Sequence, residues 1–155
     1  LLNNIAGLDH LLGSPDRSIE LLEDAFERFV ELDLPVDAGY VCSSLAEVRL
    51  DLGDAELAEA QARKALELLG GRADHVQEVG TAELALGRSL AAQGRLEEAE
   101  GWIARAEETS ARASSASHQS SAWLARGDVE ALRGNDARAA GLYRREARTL
   151  QEREV

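Results

Sequence analysis

The sequence predicts an all-α protein, an α-solenoid of four helix-turn-helix pairs, and three observations carry that prediction. Apolar content is mostly Ala and Leu, with six aromatic residues, no Met and two Pro. That mixture suits closely packed helices, whereas a sheet would draw on Val, Ile, Thr and aromatic residues. Single glycines recur at Gly13, Gly53, Gly94 and Gly134, and the interval between them never varies by more than one position. Each lies between two apolar stretches of helical character, and small residues stand at fixed offsets around it, the signature of a repeat array.

The elements follow in order. A helix over 1–12 ends at Gly13, and Ser14-Pro15 opens the next, over 15–32, with an N-cap followed by Pro at the first helical position. A helix over 36–52 closes at Gly53; Asp54 follows where an N-cap acceptor is wanted and opens 54–69, which stops at Gly70-Gly71. Helices over 74–93 and 95–112 flank Gly94. The Ser/Ala-rich stretch "SARASSASHQSS", 110–121, is read as an inter-helix turn, with a hinge or a phosphorylation site as alternatives. Helices over 117–133 and 136–152 flank Gly134, with Asn135 as the N-cap. The chain is thus one domain of 1–155, with units of about 1–35, 36–72, 73–113 and 114–155.

Within each unit the second helix presents one face. Five positions after the glycines stand Ser18, Ala58, Ala99 and Ala139; four further on come Leu22, Ala62, Ile103 and Tyr143. Three beyond those are Ala25, Ala65, Ala106 and, as an exception, Glu146. Spacings of four and then three keep these positions on one side of a helix. In the first helix, Ala6, Ala46, Gly87 and Gly127 stand seven positions before the turn. One helical turn earlier are Leu2, Cys42, Glu83 and Trp123. Small residues there let two helices cross closely, so Gly127 is expected as a close-packing point despite a helix cost of about 1 kcal/mol against Ala. The tripeptide Arg126-Gly127-Asp128 then lies in a helix, not in an extended adhesion loop.

These motifs resemble the tetratricopeptide repeat, whose signature is W-x2-L-G-x2-Y, then A-x3-F, then P. Trp123 and Gly127 match the first half, and Leu86-Gly87-x2-Leu90 matches it in part. Ala139-x3-Tyr143 matches the second half closely, and Ala58-x3-Ala62-x2-Ala65 more loosely. The period is longer than the one usual in that family, and Pro35 is the only candidate for the closing proline, slightly late. The resemblance covers the whole chain in four phased units and implies a right-handed superhelix. Repeats of this length are similar to those in large bacterial transcription regulators, where they follow a helix-turn-helix or nucleotide-binding module. An Arg bias of sixteen to one Lys and the ending "GLYRREARTLQEREV" fit that likeness. With a helical pattern already running at Leu1, the chain is expected to be a segment of a longer protein.

Charge and composition narrow the function. The net charge of -12 argues against nucleic-acid contact by this segment, because phosphate binding needs a basic footprint. Residues 1–78 hold seventeen acids against six bases, and 79–155 hold twelve against eleven. That pattern reads as a solvated acidic surface with a basic last helix, or more sharply as a face that steers a basic partner. No apolar run reaches the roughly 18 residues that would mark a membrane span. A single cysteine, Cys42, excludes an internal disulfide and points to a reducing, cytoplasmic setting. Its inward register marks it as an inert core thiol.

Catalysis and cofactors are not expected. His10, His75 and His118 fall in different units without metal-ligand spacing, and no strained nucleophile turn or phosphate-cradling glycine loop occurs. His118, among serines, is read as an exposed loop residue. A groove is the expected site, since stacked helix pairs commonly bind on a concave surface. The resemblance implies that the first helix of each pair lines it: Asn3, Asn4, Gly7 and His10; Tyr40, Ser43, Ser44, Glu47 and Asp51; Thr81, Leu84 and Arg88; and Ser121, Leu124, Asp128 and Ala131. Asn side chains can pair both polar groups of an extended backbone, although Asn3 and Asn4 read equally as residues of a frayed terminus. Relatives that clamp a C-terminal carboxylate do so with a Lys/Asn/Arg cluster. Here Lys64 lies on a second helix and Arg88 stands alone, so a neutral or basic peptide, or a partner's helix, is the expected ligand. The function expected is non-enzymatic peptide or protein binding, as sensor or assembly part of a bacterial transcriptional regulator, with a free-standing adaptor or scaffold as the alternative. A homodimer through the open ends of the stack is also expected.

Overall fold

Three-residue turns, each with one left-handed residue, recur along an antiparallel stack of helices. The structure, a computed structural model, describes residues 14–70, 74–113 and 116–153. Among these residues the chain forms α1 (Pro15–Glu31), α2 (Pro35–Asp51), α3 (Ala55–Leu69), α4 (Val76–Ala92), α5 (Leu96–Arg112), α6 (Ala116–Leu132) and α7 (Asp136–Arg153), with no strand. The all-helical class is as expected, and all seven spans agree with the expected ones to within two residues at each end. The expected helix over 1–12 lies outside the described residues. Of the serine-rich stretch 110–121, residues 110–112 belong to α5 and 116–121 to α6.

Each helix packs on the next in the chain, and in addition α2 packs on α4 and α4 on α6. Helices α2, α4 and α6 therefore form one layer, and α3, α5 and α7 lie against it in a second. At the turn between α2 and α3, Gly53 takes φ 84°, a conformation costly for residues with a Cβ. Its N–H reaches Leu50 O and the Asp54 N–H reaches Arg49 O, so the last carbonyls of α2 are satisfied. Gly94 and Gly134 close the equivalent turns. Between α1 and α2 the left-handed position falls to Asp33, with φ 55°.

The cap positions are as expected, but the cap side chains are not. Ser14 and Asp54 precede their helices and accept the first helical N–H through their carbonyls, but their side chains make no cap bond. The Asp54 carboxylate instead lies 3.6 Å from Arg49, and the Asn135 amide donates to Glu130 Oε2 at 2.7 Å. For Asp54 a cation thus takes the place of the backbone N–H that a cap would bind.

The core lies between the layers. Ser18, Ala58, Ala99 and Ala139 are buried, as are Leu22, Ala62 and Ile103, and then Ala25, Ala65 and Ala106. The expected face of the second helices is therefore the packed one. Gly87 and Gly127 are points of close approach between the layers. A Cβ on Gly87 would lie 2.7 Å from Ile103 Cγ1, and one on Gly127 would lie 2.5 Å from Tyr143 Cε1. Ala46 and Ala62 hold the equivalent positions in α2 and α3 and share a core cluster. Small-against-small in one unit thus becomes Gly-against-large in the next two, which keeps the combined volume accommodated between the layers. Cys42 is fully buried; burial pushes its thiol up to about 11, against a lowering influence of Lys64, so it is inert as expected.

Candidate functional site

The face of α2, α4 and α6 turned away from the second layer carries a furrow made of two adjoining depressions, of about 210 and 340 Å³. The three helices supply all the lining. Positions one or two turns apart on each helix recur on the neighbouring helix one period later, so the repeat in the sequence becomes a set of rows across the furrow.

The structure brings together Glu47, Asp51, Thr81, Leu84, Arg88, Ser121, Leu124 and Asp128 along this furrow. Arg88 and Asp128 border both depressions. Tyr40 and Ser44 lie on α2 outside the two depressions; Tyr40 is exposed, and the Ser44 hydroxyl donates to Tyr40 O at 3.3 Å. Ala131 is exposed and borders neither depression. Ser43 is a correction. It is only 2 % exposed and its hydroxyl donates to Gly39 O at 3.3 Å, because its register on α2 points between the helices rather than into the furrow. Asn3, Asn4, Gly7 and His10 lie outside the described residues.

His118 is a second correction. It is a helical residue lining the furrow, not an exposed loop residue. Its Nε2 lies 3.1 Å from Thr81 Oγ1, while that hydroxyl donates to Gln77 O at 3.1 Å. A hydroxyl has one proton to give, so Thr81 accepts from His118, and the Nε2-protonated ring is the form that satisfies both bonds. This bond ties α4 to α6 at one end of the furrow.

At the other end Leu50, Ala91, Ala92 and Leu132 add apolar surface beside the charged Asp51, Arg88 and Asp128, and Ala125 is shared by both depressions. Ala92 and Leu132 stand one and two periods after Asp51, so extending the repeat by one more turn would have found them. His118 stands one turn before Ser121 on the same face, inside the expected helix over 117–133, so carrying that face back by one turn would have found it.

Asp128 is held in place from behind. The Tyr143 hydroxyl donates to Asp128 Oδ1 at 2.7 Å. That hydrogen bond, with burial and the carboxylate charge adding to it, raises the phenol above its ordinary value. Tyr143 reaches Asp128 because its ring lies over Gly127, where no side chain stands in the way. Arg88, opposite, forms no ion pair among the described residues. Among the described residues, the furrow thus lines up the Arg88 guanidinium, the carboxylates of Glu47, Asp51 and Asp128, hydroxyl and imidazole groups toward Thr81 and His118, and additional apolar surface toward Leu50 and Leu132.

Such a surface is open rather than a deep, enclosed cleft. Among the described residues there is no cluster of His, Cys, Asp and Glu able to hold a metal ion, and no helix is long and apolar enough to cross a membrane.

Neither a protein-family model nor a curated protein matches the chain. In fold it is similar to the crystal structure of BtubC (BKLC) from P. vanneervenii, with a TM-score of 0.75 and 21% sequence identity. That match covers 99% of this chain and 63% of the other, so the chain spans less than two thirds of the length of BtubC. At this identity the likeness establishes a shared helical fold.

Proposed function

We propose that the chain is a tetratricopeptide-like α-solenoid, a right-handed superhelix of four helix pairs, which binds an extended segment of a partner protein or peptide in the furrow of α2, α4 and α6. The observation that carries this reading is the convergence of polar and charged residues from three successive units on one open furrow. The phased motifs of Trp123, Gly127, Ala139 and Tyr143 support the repeat assignment, and so does the close contact of Gly87 with Ile103 and of Gly127 with Tyr143. The domain acts without catalysis, as the sensor or assembly part of a larger cytoplasmic regulator; its long repeat and arginine-rich end support that setting.

The test is a peptide-array screen followed by chemical-shift mapping of the bound sequences. Bound peptides are expected to shift residues of α2, α4 and α6, and Leu124→Glu, at an exposed position in the furrow, is expected to abolish binding without loss of helicity. Shifts confined to other faces, or binding indifferent to Leu124→Glu and Arg88→Ala together, would refute the reading. Self-association through the ends of the stack belongs to the same proposal. Light scattering over a concentration series checks it, and a constant monomer mass removes it.

A further inference from the structure

The furrow has an internal order that its lining chemistry makes specific. Tyr40, Thr81 and Ser121 share one register position across α2, α4 and α6, and all three carry hydroxyls. Two helical turns further along each helix stand Glu47, Arg88 and Asp128, again one period apart. This second row alternates acid, base and acid, and all three members line the same depression. Arg88, at its centre, is in no ion pair among the described residues. Tyr143 fixes Asp128 through one of its oxygens. Leu84, Leu124 and Ala125 lie beside the row and give an apolar bed for a passing chain.

Spacing selects the ligand's conformation. Packed helices lie about 8–10 Å apart, and a step of that order is expected from one member of the row to the next. A polyproline-II segment repeats every three residues, with a rise of about 3.1 Å each, so it presents like side chains about 9 Å apart on one face. An ordinary strand repeats every two residues, about 6.6 Å, and falls out of step with the helices.

Building on the peptide-binding reading above, we infer that the furrow selects a polyproline-II segment with a base–acid–base pattern at every third residue. The central acid meets Arg88, and the flanking bases meet Glu47 and Asp128. The strongly acidic chain favours the approach of such a net-positive segment.

The experiment uses the full chain and four dye-labelled peptides, followed by fluorescence anisotropy and chemical-shift mapping. They are Lys-Pro-Pro-Glu-Pro-Pro-Lys, its inverse Glu-Pro-Pro-Lys-Pro-Pro-Glu, an all-Gln version and an all-Lys version. The first is expected to bind at least about tenfold more tightly than its inverse and to weaken as salt rises. Arg88→Glu is expected to move the preference to the all-Lys peptide. Arg88→Gln, which keeps the size of a long polar side chain, is expected to erase the advantage of the central Glu. Circular dichroism checks that each variant keeps its helices. Equal binding of the pattern, its inverse and the all-Gln peptide overturns the charge order; if shifts still map to α2, α4 and α6, the peptide groove survives. Absence of shifts on those helices with all four peptides overturns both.

Discussion

The ring of Tyr143 lies against the bare backbone of Gly127, and its hydroxyl donates to Asp128 Oδ1 at 2.7 Å. One residue of the second layer thus fills the space left by a missing side chain and fixes a carboxylate in the furrow on the far side. Packing and site are connected through adjacent residues of α6.

Glycine substitutions are expected to divide by position. Gly127→Ala and Gly87→Ala each create an overpacked contact and are expected to destabilise by about 1–3 kcal/mol. Gly87 is the more severe, because backbone atoms of Ile103 and Ala99 also lie within 3.3 Å of the added carbon. Gly101→Ala and Gly141→Ala, in α5 and α7 with nothing within 4 Å of the new carbon, are expected to stabilise by about 0.5–1 kcal/mol. Urea denaturation of the four variants checks the division; a uniform sign would contradict it.

Tyr143→Phe keeps the ring over Gly127 and removes only the bond to Asp128. Because that bond is solvent-accessible, a loss of about 0.5 kcal/mol is expected at neutral pH. The folded phenol has a raised pKa, so its contribution is complete below the unfolded value of about 10 and is lost as pH rises through the folded one. Spectrophotometric titration in a Tyr40→Phe background should show Tyr143 ionising late, and Asp128→Asn should bring it back toward the ordinary range.

Glu59 on α3 joins successive units, accepting from Gln93 Nε2 at 2.8 Å, from Arg95 Nη1 at 2.9 Å and from Arg63 Nη2 at 2.7 Å. Burial works to raise its pKa, but the bonds from Gln93, Arg63 and Arg95 together hold it below the ordinary value. Glu98 is lowered first by its bond to Arg95, with burial opposing. With folded values depressed, both contribute stability above the unfolded value of about 4.3, and that contribution is lost as pH falls through the folded values. The urea midpoint of the native chain should therefore fall on acidification more steeply than that of Glu59→Gln. Parallel curves would show that this network does not couple to folding.

Glu146 occupies a position where Ala25, Ala65 and Ala106 are buried in the other units. It is itself buried, and its Oε2 has no hydrogen-bond partner among the described residues. Glu146→Ala should stabilise by about 1 kcal/mol, since it removes a polar group buried without full compensation. A loss of thermal stability in this variant would identify a compensating contact.

The furrow was legible to the extent that it obeys the repeat. Glu47, Asp51, Thr81, Leu84, Arg88, Ser121, Leu124 and Asp128 follow from the family resemblance, which implies that the first helix of each pair lines a groove, with helical spacing and the repeat period giving the register. Ser43 was misplaced because a shift of one residue on a helix turns a side chain by about 100°, enough to move it from furrow to core. His118 fell inside the expected helix over 117–133 but was read as a loop residue from its serine neighbours; its contact with Thr81 depends on how α6 packs on α4.

Helices, turns and buried faces could be read from the chain alone, because glycine conformation, helical spacing and small-residue packing are local or periodic rules. Other relationships arise from packing in three dimensions: Tyr143 holds Asp128, His118 meets Thr81, and Glu47, Arg88 and Asp128 share one depression. Those depend on side-chain reach between helices far apart in the chain, and a one-dimensional period specifies register but not distance.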